Sequence, residues 1–136
     1  KYLMFNLMDY GYFSIWHKES DLWLMDLETG KSFSLDGANS NDADSYHNWS
    51  IDSHWFVFTS RRENGLYSQL YLSCIDDEGK ATKPFLLPQK DPKKYYATTL
   101  YSFNTPDFTS RPVELDSHAA STAISSDKRI PTSIKE

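Results

Sequence analysis

Along most of this chain apolar and polar residues alternate in short runs, the period of half-buried strands and not of helices. Tyr2–Met8 reads as a strand, Leu22–Leu27 as a second and Lys31–Leu35 as a short third, with an aromatic loop (Asp9–Ser20) and the Thr29-Gly30 turn between them. The polar segment Asp36–Asp44 is turn chemistry throughout. Strand patterns then resume at Tyr46–Ser50, Trp55–Ser60, Leu66–Ile75 and Pro84–Leu87. Ile51-Asp52-Ser53 joins the first two of these, and Arg62-Glu63-Asn64-Gly65, whose compact Asn-Gly pair is a hairpin signal, joins the second and third.

The two groups of runs repeat one another. Tyr2-Leu3-Met4-Phe5 has a counterpart in Trp55-Phe56-Val57-Phe58, Asp21-Leu22-Trp23-Leu24 one in Gln69-Leu70-Tyr71-Leu72, and Glu28-Thr29-Gly30-Lys31 one in Asp77-Glu78-Gly79-Lys80. A period of about 50 residues built from short strands is the size of one propeller blade of four antiparallel strands. The pattern therefore predicts an all-β chain of about two blades. Residues 1–35 form a partial blade lacking its inner strand, 36–45 a linker, 46–88 a complete blade and 89–136 an irregular C-terminal extension. A blade cannot bury both faces alone, so the pattern further predicts a fragment of a larger propeller. The expected partner for the core is the missing N-terminal part or a second copy of the chain. The opening at Lys1, on the edge of a strand pattern, reads as a truncated start.

Composition sharpens that division. Aromatic residues make up 15% of the chain and end at Phe108, whereas Ser117–Glu136 is rich in Ser, Ala and Thr and predicts disorder. A net charge of −5 and a pI near 5.3 oppose binding to a phosphate backbone, and the densest basic group, Lys90, Lys93 and Lys94, is interrupted by Asp91. No apolar run approaches the ~20 residues of a membrane helix. The single cysteine, Cys74, makes neither an internal disulfide nor a metal cluster alone, and reads as a small thiol within a strand.

The run Trp49-Ser50-Ile51-Asp52-Ser53-His54-Trp55-Phe56-Val57-Phe58 resembles the W-S-P-D-G strand-turn-strand signature of TolB-like, WD40-like (PD40) propeller repeats. Asp21-Leu22-Trp23-Leu24-Met25-Asp26-Leu27-Glu28-Thr29-Gly30 is similar to the third strand of the same repeats. His47-Asn48-Trp49-Ser50, Phe58-Thr59-Ser60-Arg61-Arg62 and Pro84–Gln89 resemble the last part of Bacteroides-type envelope propeller proteins. Ile51 and Ser53 depart from the motif's Pro and Gly, while Asp52 keeps the side chain that bonds the backbone ahead of it. The resemblance implies a structural role for the motif, a periplasmic or outer-envelope setting in a bacterium, and a non-catalytic scaffold that binds a protein or an envelope polymer. Its alternative is part of the propeller wall of a larger enzyme, either a metal-dependent sugar lyase with His17 or His47 in the channel or a propeller-gated peptidase.

Alternate connections of an antiparallel meander fall at opposite ends of a sheet. That places Asp9–Ser20, Asp36–Ser45 and Ser60–Gly65 on one rim, which carries the candidate ligand-binding residues Tyr12, Trp16, His17, Glu19, Asp42, Asp44, His47, Arg61 and Arg62. Tyr10, Tyr12, Phe13 and Trp16 suit a stacking platform for a sugar or peptide, or else pack on a neighbouring blade. Arg61-Arg62 suits a bidentate grip on a carboxylate, or ion pairs to acids such as Glu63 or Asp52. His17, Glu19, Asp42 and Asp44 are the donors a divalent metal would use, without the spacing of a known loop, and solvated turns are the competing reading. His47 beside Trp49 reads as a hydrogen-bonded strand histidine. Trp49, Asp52, Gly30 and Gly79 are expected to be structural. No catalytic constellation, resident metal or cofactor is expected, because nucleophile elbow, phosphate loop and H-E-x-x-H spacing are all lacking. The opposite rim is expected to offer only tight turns.

Overall fold

The computed structural model describes residues 1–114 and 116–126. Its body is two antiparallel meanders: a 3-stranded sheet, β1 (Tyr2–Leu7), β2 (Asp21–Asp26) and β3 (Ser32–Ser34), and a 4-stranded sheet, β4 (Asp44–Trp49), β5 (Trp55–Ser60), β6 (Gln69–Cys74) and β7 (Phe85–Leu86). The chain is thus mostly sheet, as the alternation predicts. Register runs from Tyr2↔Asp26 to Leu7↔Asp21 in the first sheet and from Trp55↔Cys74 to Ser60↔Gln69 in the second.

One core lies between the sheets. Met4, Leu22, Leu24 and Leu35 come from the first side, and Phe56, Phe58, Tyr71 and Ile75 from the second. Side chains alternate across a strand, so a residue and its sequence neighbour face opposite ways. The repeat then has a consequence for stacking. Phe56, Phe58 and Tyr71 face the first sheet, but their repeat counterparts Leu3, Phe5 and Trp23 point away from the second. The two sheets therefore stack head to tail, each in the same sense, and do not meet as mirror-related halves of a sandwich.

Turns follow local chemistry. Asp26 accepts from the amides of Glu28 and Thr29 and turns the chain into Gly30 (φ 69°), and Asp76 does the same for Glu78 and Lys80 around Gly79 (φ 81°). A Cβ at Gly79 would lie 3.0 Å from both the Phe33 and Tyr2 rings, so this turn of the second sheet seats on the first. Asp52 accepts from the Ser50 hydroxyl and the His54 amide, and Ser53 takes the left-handed conformation (φ 60°) that the motif ordinarily gives to glycine. Trp49 packs edge-on to Phe56, with centroids 5.6 Å apart.

β5 and β6 pair as an antiparallel hairpin across a loop from Arg61 to Ser68, in which Asn64 Oδ1 accepts from the Leu66 and Tyr67 amides and the Gly65 amide donates to Arg61 O. Two expectations are corrected. The segment after Pro88 is not wholly irregular, because Asp91 caps α1 (Pro92–Thr98) by accepting from Lys94 N at 3.1 Å, with Pro92 in the first turn. Ser117–Ser125, expected to be disordered, is helix α2 capped by Asp116, although none of its side chains is buried. Residues 127–136 of that expectation lie outside the described residues.

Residues 102–106 cross the far face of the second sheet. Ser68 Oγ donates to Phe103 O, Phe103 N donates to Ser68 O at 3.0 Å, and Asn48 Nδ2 reaches Pro106 O at 3.4 Å. On that face Val57 and Thr59 are buried, although among the described residues no strand covers it. Among the described residues no helix is long and apolar enough to cross a membrane.

Candidate functional site

The loops assigned to one rim do converge. The Asp44 amide donates to Ser20 O, Arg61 N donates to Ala43 O, and Ser14 Oγ pairs with Ser45 Oγ, tying the long β1–β2 loop to the linker and to the β5–β6 loop. A 3-10 turn at Ser14–Trp16 buries Ile15 as an anchor and leaves the Trp16 ring 69% exposed. The Arg61 guanidinium lies 5.0 Å from the Trp16 ring centroid and donates to Ile15 O and Gly65 O. Its Nε is buried and has no partner among the described residues.

Between these loops lies a groove of about 350 Å³ walled by Phe13, Ile15, Trp16, Leu66 and Phe103, with Arg61, Ser102 and Asn104 supplying polar atoms. Tyr46 and Ser68 complete the lining. Both Phe13 (φ 57°) and Tyr46 (φ 47°) hold left-handed backbone, a conformation unfavourable to residues with a Cβ and concentrated at functional sites. For Tyr46 the cause is a bulge between Ser45 and Asn48 in the β4–β5 ladder.

Other predicted site residues divide by burial. Tyr12 stands in solvent, and its carbonyl lies 3.1 Å from His17 Nε2. His17 Nδ1 is 3.2 Å from Glu19 Oε1, and the Tyr10 ring meets the imidazole edge-on at 5.0 Å. Hydrogen bonding from its own amide and from His17 holds the Glu19 carboxyl below its ordinary range. Asp42 Oδ1 accepts from the Ala43 amide, as in a turn.

Asp44, Arg62 and His47 are not rim ligands, which corrects their assignment. Asp44 is fully buried: Oδ1 takes Arg62 Nη2 at 2.6 Å, and Oδ2 takes Ser40 N at 2.6 Å and Ser40 Oγ at 2.8 Å. Arg62 also donates to Ala38 O at 2.7 Å and Ser60 Oγ at 2.8 Å, and covers the Tyr71 ring at 4.5 Å. Its acid is thus Asp44 and neither Glu63 nor Asp52. Glu63 instead accepts from Tyr71 at 2.8 Å, and burial with that bond raises the Tyr71 phenol above its ordinary range. His47 turns away from the rim to place Nε2 3.1 Å from Met4 O on β1, and burial lowers its pKa. Among the described residues no three His, Cys, Asp or Glu side chains converge as a metal site requires.

The opposite rim holds more than tight turns. A cleft of about 480 Å³ opens there between the sheets, bordered by Tyr2, Trp49, Asp52, His54 and Ile75. It was missed because it arises from the splay of the two sheets, to which no single motif contributes. The rim groove's Leu66 and Phe103 were missed for a similar reason: the first lies beyond an apparent hairpin and the second in a segment without period.

No family model matches the chain, and neither a curated protein nor a solved structure matches it.

Proposed function

We propose that this chain is a non-catalytic binding scaffold, two neighbouring blades of a TolB-like propeller that engage a protein or an envelope polymer through the rim carrying Trp16 and Arg61. The periplasmic or outer-envelope setting belongs to the same reading and rests on the resemblance of the Trp49–Phe58 and Asp21–Gly30 motifs. The blade reading draws support from the meander order of both sheets and from their head-to-tail stacking, since blades around an axis repeat in one sense.

One observation carries the choice of surface: an exposed indole stacked with a guanidinium over an apolar groove. Aromatic and Arg side chains dominate binding energy where a partner covers them, because both present large area with few degrees of freedom. The groove has room for one apolar side chain of a peptide or the face of one sugar ring. The Asp44–Arg62 pair, adjacent in sequence to Arg61 and Ser45, ties the linker to the β5–β6 loop and so limits the ordering cost of binding.

The test is a selection of phage-displayed peptides and a panel of soluble peptidoglycan fragments on the immobilised chain. Trp16→Ala and Arg61→Met should each lower the affinity of any binder recovered by at least about tenfold. Binders indifferent to both changes would show that the rim groove is not the site.

A further inference from the structure

The face of the first sheet turned away from the core carries a row of apolar residues on β1 and β2, bordered by Asp21 opposite Leu7 and by Ser32 and Ser34 on β3. Leu3, Phe5 and Leu7 on β1 lie beside Trp23 and Met25 on β2 by register, and Leu3 and Leu7 are 51% and 48% exposed. In the second sheet the counterparts of Leu3, Phe5 and Trp23 are Phe56, Phe58 and Tyr71, which dock onto the Met4, Leu22 and Leu24 face of the first. The counterparts of Met4, Leu22 and Leu24 are in turn Val57, Leu70 and Leu72, on the far face of the second sheet. One molecule thus carries both halves of its own sheet-to-sheet contact, one at each end of the stack. Among the described residues no strand pairs onto or stacks against the Leu3/Phe5/Trp23 end, where Phe5 and Trp23 are half-buried. The other end is crossed by residues 102–106, which bond to Ser68 and Asn48; on that face Val57 is buried while Trp55 and Phe85 are 40% and 44% exposed.

We propose that the Leu3/Phe5/Leu7/Trp23/Met25 face is a stacking surface for the far face of the four-stranded sheet of a second copy, and that residues 102–106 act as a cap that holds this stacking off. The contact is heterologous, so uncapped copies add head to tail and either close a ring or grow without limit. The cap is held by few bonds, three to Ser68 (its amide to Ser102 Oγ, its hydroxyl to Phe103 O, and Phe103 N to its carbonyl) and the long Asn48 to Pro106 bond, so its release costs less than opening the core. The cap shares Ser102, Phe103 and Asn104 with the rim groove, whereas Leu3 and Leu7 line no part of it, so the Leu3 and Leu7 changes separate a failure of this proposal from a failure of the binding reading.

The experiment is sedimentation velocity on the full chain over a wide concentration range, with wild type, Phe103→Asp and the milder Ser68→Ala. Amide exchange checks that Phe103 N has lost protection while the β1–β2 and β5–β6 ladders keep theirs. The weight-average sedimentation coefficient of the uncapped chain should rise with concentration to at least about twice that of wild type. Leu3→Glu with Leu7→Glu, placed on the opposite end of the stack, should return it to the wild-type value. Two results would overturn the proposal: an uncapped, folded chain that sediments as wild type at all concentrations, or assembly that survives the Leu3 and Leu7 changes.

Discussion

Replacing Arg62 by methionine isolates the buried ion pair that underlies the rim. Methionine keeps an apolar stem over the Tyr71 and Phe58 rings, which the guanidinium covers at 4.5 and 5.4 Å, and removes only the charge and its donors. Asp44 Oδ1 then loses its ionic partner at zero exposure, while Oδ2 keeps the two bonds from Ser40. Breaking a buried pair from one side costs about 3–5 kcal/mol, chiefly because a desolvated charge is left behind, and loss of the cation–π contacts adds up to about 1 kcal/mol. Asp44→Asn in the same background removes that stranded charge and should recover about 2 kcal/mol, within the range of coupling energies between directly bonded residues. Urea denaturation followed by tryptophan fluorescence and far-ultraviolet circular dichroism gives all four corners of the cycle. A cost below about 1 kcal/mol for Arg62→Met, with no coupling to Asp44, would mean that Asp44 is hydrated. The carboxylate would then be available to a ligand, and the structural role assigned to the pair would be wrong.

Three further outcomes follow from single contacts. Burial depresses the His47 pKa, whereas the unfolded chain takes up its proton near ~6.5, so the neutral ring favours the fold above that value. Stability should fall as pH drops through this range toward the depressed folded value, and His47→Gln, which keeps a donor for Met4 O, should flatten the slope; equal slopes in urea titrations at several pH values would refute it. Gly79→Ala should destabilise more than Gly30→Ala, because both turns need positive φ but only the Cβ at Gly79 meets rings at 3.0 Å, and thermal melts that rank them the other way would contradict the seating of this turn on the first sheet. Trp49→Ala should cost about 3 kcal/mol by leaving a void against Phe56, and Asp52→Ala clearly less, since Asp52 stands in solvent; the reverse order in chemical denaturation would sink the assignment of residues 44–60.

Much of the body was legible because period-two alternation and the repeat both point to the same strands, and Asp26, Asp52 and Asp76 each announce a turn whose hydrogen bonds the structure contains. Helix α1 was legible in principle, since Asp91-Pro92 is a cap followed by a first-turn proline, but the adjacent Tyr95 and Tyr96 break helical periodicity and hid it. The meeting of the rim loops could be inferred from connectivity alone. Which of their side chains remain open could not. Asp44 is buried because the linker folds back so that Ser40 and Arg62 enclose it, a path set by the tertiary fold. His47 points to β1 because of a bulge and a left-handed Tyr46, for which the sequence carries no glycine or asparagine as a signal.

The most direct test of the rim as the binding surface is an amide chemical-shift map of the labelled full chain titrated with a peptide or peptidoglycan fragment recovered by selection. Shifts are expected at Phe13–Trp16, Arg61, Leu66 and Ser102–Asn104, with the cleft around Tyr2, Trp49, Asp52 and His54 unchanged. Shifts concentrated in that cleft, with Trp16 and Arg61 unmoved, would contradict the account and transfer the binding function to the opposite end of the molecule.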